Sequence, residues 1–121
     1  MLSRIILILF LFLFQEHSCV ITWEPRILSC QGYASCTLKK SETEQTGKPA
    51  ECRKEDTKHI CDIECDGADR DSVISKAPTD FRPCSRFFTY NSQKSVSGKW
   101  FIWRDGSCAE SNITLSIHCG F

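Results

Sequence analysis

Apolar and polar residues alternate without a break over residues 112–119, NITLSIHC. Ile113, Leu115, Ile117 and Cys119 share one side, and Thr114, Ser116 and His118 share the other. Successive side chains of a strand leave on opposite faces, so a period of two predicts a strand with one buried face. Cys119 is therefore expected to face the core. Two aromatic runs precede it, CSRFFTY (84–90) and KWFIWR (99–104). Together the three segments predict an antiparallel meander in the C-terminal third. NSQKSVSG (91–98) serves as its hairpin connection and Asp105-Gly106 as a turn. Phe87, Phe88, Trp100, Phe101 and Trp103 are expected to supply much of the burial energy, at roughly 1.5–3 kcal/mol for each large side chain fully buried.

The N-terminal half is less periodic. Val20–Trp23 is a short β-prone run that Glu24-Pro25 should stop. Ile27–Cys30, Cys36–Leu38 and the weakly alternating HICDIE (59–64) are further strand candidates. Between them SETEQTGKPAECRKED (41–56) has almost no apolar residues. Ser41 and Glu44 have capping-box spacing, but Gly47-Lys48-Pro49 interrupts, so at most one helical turn is expected. Residues 66–83 form a second polar connection, with Val73-Ile74 as its apolar pair. There is no internal repeat and no long helical pattern. The pattern describes a small, disulfide-rich, mainly β domain with long polar loops.

The start of the chain sets the compartment. Residues 5–14, IILILFLFLF, are unbroken apolar sequence behind Arg4. The run is too short for a helix crossing a bilayer core of about 30 Å, which needs roughly 20 residues. It has the length of a signal-peptide hydrophobic region. Residues 1–19 are read as a cleaved secretory signal and residues 20–121 as one domain. The chain has nine cysteines, and losing Cys19 leaves an even set: Cys30, Cys36, Cys52, Cys61, Cys65, Cys84, Cys108 and Cys119. In an oxidising compartment these are expected to form four disulfides, with the pairing left open. The formal net charge is zero. The signal removes one charge of each sign, Arg4 and Glu16, so the balance persists. No field draws nucleic acid to such a chain. With no second apolar span, a secreted monomer without a membrane anchor is expected.

CDIECDGADRD (61–71) resembles the opening of a calcium loop, with Asp62, Glu64, Asp66 and Gly67 in place. The bidentate glutamate that should complete the shell is Val73, and Arg70 intrudes. Cys61 and Cys65, with His59 nearby, have rough zinc spacing, but zinc needs thiolates that disulfides remove. The same argument removes a cysteine nucleophile. His59 and His118 are the histidines left after the signal, and two imidazoles can share acid–base cleavage of RNA. No motif surrounds either one, and the serine-hydrolase elbow is absent. No catalytic residue, metal ligand or cofactor is therefore assigned. Asn112-Ile113-Thr114 is an N-glycosylation sequon.

Two short stretches carry family resemblances. Arg86-Phe87-Phe88-Thr89-Tyr90-Asn91, followed by Gly98-Lys99 and Gly106-Ser107-Cys108, resembles the central hairpin of Kunitz-type protease inhibitors. Trp100 stands where that family usually has a cysteine, so no inhibitory residue is carried over. Leu28–Cys36 resembles the opening of KP4-type fungal killer toxins. The reading that results is a secreted, cysteine-rich, toxin- or effector-like protein that binds an extracellular or host macromolecule without catalysis. A secreted protease inhibitor is the alternative, and a small secreted ribonuclease the second. Loops 41–58 and 66–83 are the expected contact regions, with Tyr33 or Phe81 as anchors.

Overall fold

The computed structural model describes residues 22–67, 74–77 and 83–120. The signal at 1–19 lies outside them, as do Asp69, Arg70, Asp71, Val73 and Phe81. The strands are β1 (Trp23–Gln31), β2 (Ser35–Lys39), β3 (Lys48–Pro49), β4 (Cys52–Glu55), β5 (Lys58–Cys65), β6 (Ile74–Ala77), β7 (Tyr90–Lys94), β8 (Trp100–Asp105) and β9 (Asn112–Gly120). A single helical turn, α1 (Gly106–Ala109), separates the last two. The strands form a five-stranded sheet in the order β3-β2-β1-β9-β6 and a four-stranded sheet in the order β4-β5-β8-β7. Every strand pair is antiparallel. The protein is thus small, mainly β and disulfide-rich.

One core lies between the sheets. Leu28, Leu38, Ile113, Leu115 and Ile117 come from the first sheet, and Cys61, Ile63, Tyr90 and Ile102 from the second. Strand β9 follows its sequence pattern: the side of Ile113 is buried throughout, Cys119 included. Four disulfides pin this core. Cys30–Cys36 closes the β1–β2 hairpin and Cys52–Cys61 links β4 to β5, each across a directly paired position. Cys65–Cys119 joins the two sheets. Cys84–Cys108 fastens the segment before β7 to α1.

Several local expectations shift. The polar tract Asn91–Lys94 is strand β7, and the turn falls on Ser95–Gly98, with Gly98 at φ +90°. The β7–β8 hairpin is antiparallel, but β9 does not extend it as the third strand of a meander. It crosses by way of α1 to the other sheet, between β1 and β6. Pro25 does not stop β1 either. Strand β2 pairs only from Ile27 onward, so around Pro25 the strand has β9 on one flank and no β2 partner on the other. Proline is tolerated on such an edge because no ladder bond is lost there.

The aromatic core is the largest correction. On β8 the inward positions are Ile102 and Arg104, both fully buried. Phe101 and Trp103 therefore face outward and are half-buried, while Trp100 packs at the core's margin. Phe87 and Phe88 lie outside the core altogether, 65% and 81% exposed. The burial energy comes instead from aliphatic side chains, cystine and Tyr90.

Candidate functional site

The exposed phenyl pair sits on a stitched turn. The backbone N–H groups of Phe88 and Thr89 both donate to the Ser85 carbonyl, at 3.1 and 2.8 Å. Ser85 N–H donates to the Thr89 hydroxyl at 2.7 Å, and Phe87 N–H to the Tyr90 carbonyl at 2.8 Å. Asp105 N–H donates to the Thr89 carbonyl at 2.8 Å and ties the turn to β8. Cys84, fully buried and bonded to Cys108, anchors its start. Phe87 has φ +73°, a left-handed conformation that a bulky side chain rarely adopts. Such strain, of order 1–3 kcal/mol, persists where the surroundings over-determine it, and it gathers at functional sites. The Arg86 guanidinium lies 4.8 Å from the Phe87 ring centre, giving the tip a cationic edge. Reading this run as a strand hid the site. The available signal was the Phe87-Phe88 pair itself, since adjacent strand residues cannot both face inward.

A second cluster is buried. Arg104 donates from Nη1 to the carbonyls of Cys108 and Ser111, each at 3.2 Å, and from Nη2 to the Gly32 carbonyl at 2.9 Å. Nη2 also meets His59 Nδ1 at 2.7 Å and Cys36 Sγ at 3.8 Å. The imidazole therefore accepts and is neutral. Burial first, and the guanidinium second, push its pKa below the ordinary histidine value. Tyr33, expected as an exposed anchor, is half-buried and packs edge-on against His59 at 5.2 Å, with Lys54 over its ring. Cys36, Cys52, Cys61 and His59 bring four metal-type ligand atoms within 4.8 Å of one another. All three sulfurs are in disulfides, and Arg104 occupies the imidazole lone pair.

The acidic stretch that resembles a calcium loop has other partners. Asp62 Oδ1 accepts the Glu64 N–H at 2.8 Å. Glu64, at φ +53° in a bulge between β5 and β8, pairs its carboxylate with Lys40 at 2.7 Å and with Lys48. These lysines pull its pKa down to about 2. Its carbonyl takes two bonds from the buried Arg26, both at 3.3 Å. Gly67 is needed for close approach: a Cβ there would overlap the Gly120 carbonyl. The stretch 41–58, expected as a polar loop, contains β3, β4 and the start of β5; at its beginning Thr43 N–H donates to the Ser41 hydroxyl and Lys40 N–H to the Glu44 carboxylate, which closes one tight turn. His118 is exposed on the outer side of β9, and His59 faces the core from β5, so the two histidines are not brought together. Asn112 is exposed at the first position of β9.

These features define a small cystine-pinned β-sandwich that presents an aromatic turn. The chain belongs to the family described as Domain of unknown function (DUF7808), whose model matches residues 13–121. It is similar to a Caenorhabditis elegans protein described as "Uncharacterized protein mtre-1", with 32% identity over 97 residues. The match covers 73% of this chain and spans 60% of that relative's length. No solved structure matches. Among the described residues no helix is long and apolar enough to cross a membrane.

Proposed function

We propose that this is a secreted, cysteine-rich protein of the toxin or effector kind, which acts without catalysis by docking on an extracellular protein. The observation that carries the reading is the Phe87–Phe88 turn. Two adjacent phenyl groups are held in solvent on a hydrogen-bonded, disulfide-anchored and strained backbone. A pre-ordered turn loses little freedom on binding, and rigid aromatic side chains are frequent energetic anchors. The partner that fits is a protein with an apolar cleft for the rings. Four disulfides and the apolar N-terminal run support the secretory route, on which Asn112 carries a glycan.

The test places a photo-crosslinking phenylalanine analogue at position 88 and applies the oxidised protein to intact target cells. One surface protein should be captured. Excess wild-type chain should compete, and a folded Phe87→Ser/Phe88→Ser chain should not. Equal competition by both would remove the turn from the binding surface. In the same preparation, intact mass should show a chain beginning near Val20. A glycan mass should be present and should disappear in Asn112→Gln.

A further inference from the structure

We propose that Cys52–Cys61 and Cys30–Cys36 form a thiol–disulfide exchange centre, entered by an external thiolate at Cys52 and completed by a new inter-sheet bond between Cys36 and Cys61. This goes beyond target docking and does not depend on it. The first ground is proximity. Cys36 belongs to the first sheet and Cys52 and Cys61 to the second, yet their sulfurs and a His59 ring nitrogen all lie within 4.8 Å of one another. Two disulfides from opposite sheets thus abut.

The second ground is charge. Arg104 is fully buried and has no carboxylate partner among the described residues. Its bonds go to three carbonyls, the His59 ring and a sulfur, and its Nε has no hydrogen-bond partner. A buried cation without an anion is costly, and a thiolate formed in this centre supplies the missing charge. Stabilising the departing thiolate speeds exchange, because a sulfur of lower pKa leaves faster.

The third ground is access. Cys52 is half-buried, whereas Cys61 is 1%, Cys30 4% and Cys36 7% exposed. An incoming thiolate meets Cys52 first. Its sulfur bonds to Cys52 Sγ as the Cys52–Cys61 bond breaks, and the electron pair leaves on Cys61, whose Sγ is 4.0 Å from His59 Nδ1. The Cys61 thiolate then attacks Cys36. The Cys36–Cys61 bond forms, the Cys30–Cys36 bond breaks, and the electron pair leaves on Cys30. The Cys30 thiolate then takes a proton from water. Each attack makes one S–S bond and breaks one, so no separate oxidant or reductant is required. Two bonds within hairpins are replaced by one between the sheets and one to the external thiol.

The probe is reduced glutathione, added to the oxidised full chain at mildly alkaline pH and trapped by alkylation before tryptic digestion. In the starting protein, peptide 27–39 carries only its internal Cys30–Cys36 bond. After exchange it should be joined to peptide 59–70 through Cys36 and Cys61, with glutathione on Cys52 and an alkylated Cys30. Cys65–Cys119 and Cys84–Cys108 should persist. The Cys30→Ala/Cys36→Ala chain should still take glutathione at Cys52 and should lose the cross-link. Arg104→Met should slow capture about tenfold through the loss of thiolate stabilisation. If that variant does not fold, the cross-link in the native chain decides alone. First attack at Cys65, Cys84, Cys108 or Cys119, or a Cys52 adduct that never yields the cross-link, overturns the proposal.

Discussion

Arg104 and His59 give the interior a titrating pair whose direction is fixed by one hydrogen bond. Because Nη2 donates to Nδ1, folding selects the neutral imidazole. An unfolded histidine titrates at 6.5, and in the folded chain that pKa is lowered. As pH falls below 6.5 the unfolded state takes up a proton that the folded state refuses. Stability should therefore decline with a slope of up to about 1.4 kcal/mol per pH unit, until the lowered folded value is reached. His59→Asn offers a side-chain acceptor without the titration, and urea midpoints measured across this range should be flatter in the variant. Equal slopes would show that another group sets the dependence. Glu64 acts at lower pH. Its pKa falls from 4.5 to about 2, so the stability it adds is full above 4.5 and is lost as pH drops towards 2. The group is partly exposed, which limits the pairing to about 1 kcal/mol or less. Glu64→Gln should remove that amount near neutral pH and little at strongly acidic pH. Neither role was legible in the sequence. Arg104 read as the charged end of an aromatic strand, and Glu64 as part of an acidic turn without a ligand role, because Gly32 and His59 for the one, and Lys40 and Lys48 for the other, come from distant segments.

Among the elements, legibility followed how strongly one face is buried. Strand β9 lies between β1 and β6 and contributes its whole inner side to the core, so its alternation is clean. Strand β7 is at a sheet edge and carries mostly polar residues, and there the sequence pattern placed the strand too early. The same displacement concealed the Phe87–Phe88 turn. That turn makes a prediction opposite to ordinary core behaviour. The Phe87 side chain is largely exposed, so truncating it sacrifices little burial, while its positive φ penalises a side chain. Phe87→Gly relieves a left-handed penalty of about 1–2 kcal/mol against a glycine entropy cost of roughly 0.5–1 kcal/mol. Its thermal midpoint should equal or exceed that of the native chain. Phe87→Val should melt lower, because a β-branched residue resists this conformation most. A melting order with valine above glycine would mean that the turn relaxes and is not held. Maintained stability in Phe87→Gly, combined with lost competition for the partner, is the pattern expected of a residue kept for binding.

At the scale of the molecule the two sheets present unlike outer faces. The first is hydroxyl-rich along β1, β2 and β9, with Ser29, Thr37, Thr114 and Ser116 beside the Asn112 sequon. The second shows half-buried Phe101 and Trp103, with Lys58 over the Trp103 ring. The eight cysteines were visible as a set, but their pairing depends on which strands become neighbours, and β9's crossing decides that. Cys65–Cys119 is the bond that follows from the crossing, and it closes 54 residues, whereas Cys30–Cys36 closes 6 within a hairpin that already pairs. In the chain-entropy account, cross-linking removes more freedom from the unfolded state as the loop lengthens, giving about 4 kcal/mol for the first bond and about 2 kcal/mol for the second. Alanine pairs avoid leaving buried thiols. Denaturant unfolding under non-reducing conditions should find Cys65→Ala/Cys119→Ala the more destabilised by about 2 kcal/mol. Equal losses would place the stabilisation in local packing around each sulfur. The larger loss at Cys65–Cys119 would make the inter-sheet bond the principal restraint holding the two layers over a core in which Tyr90 is the buried aromatic side chain among the described residues.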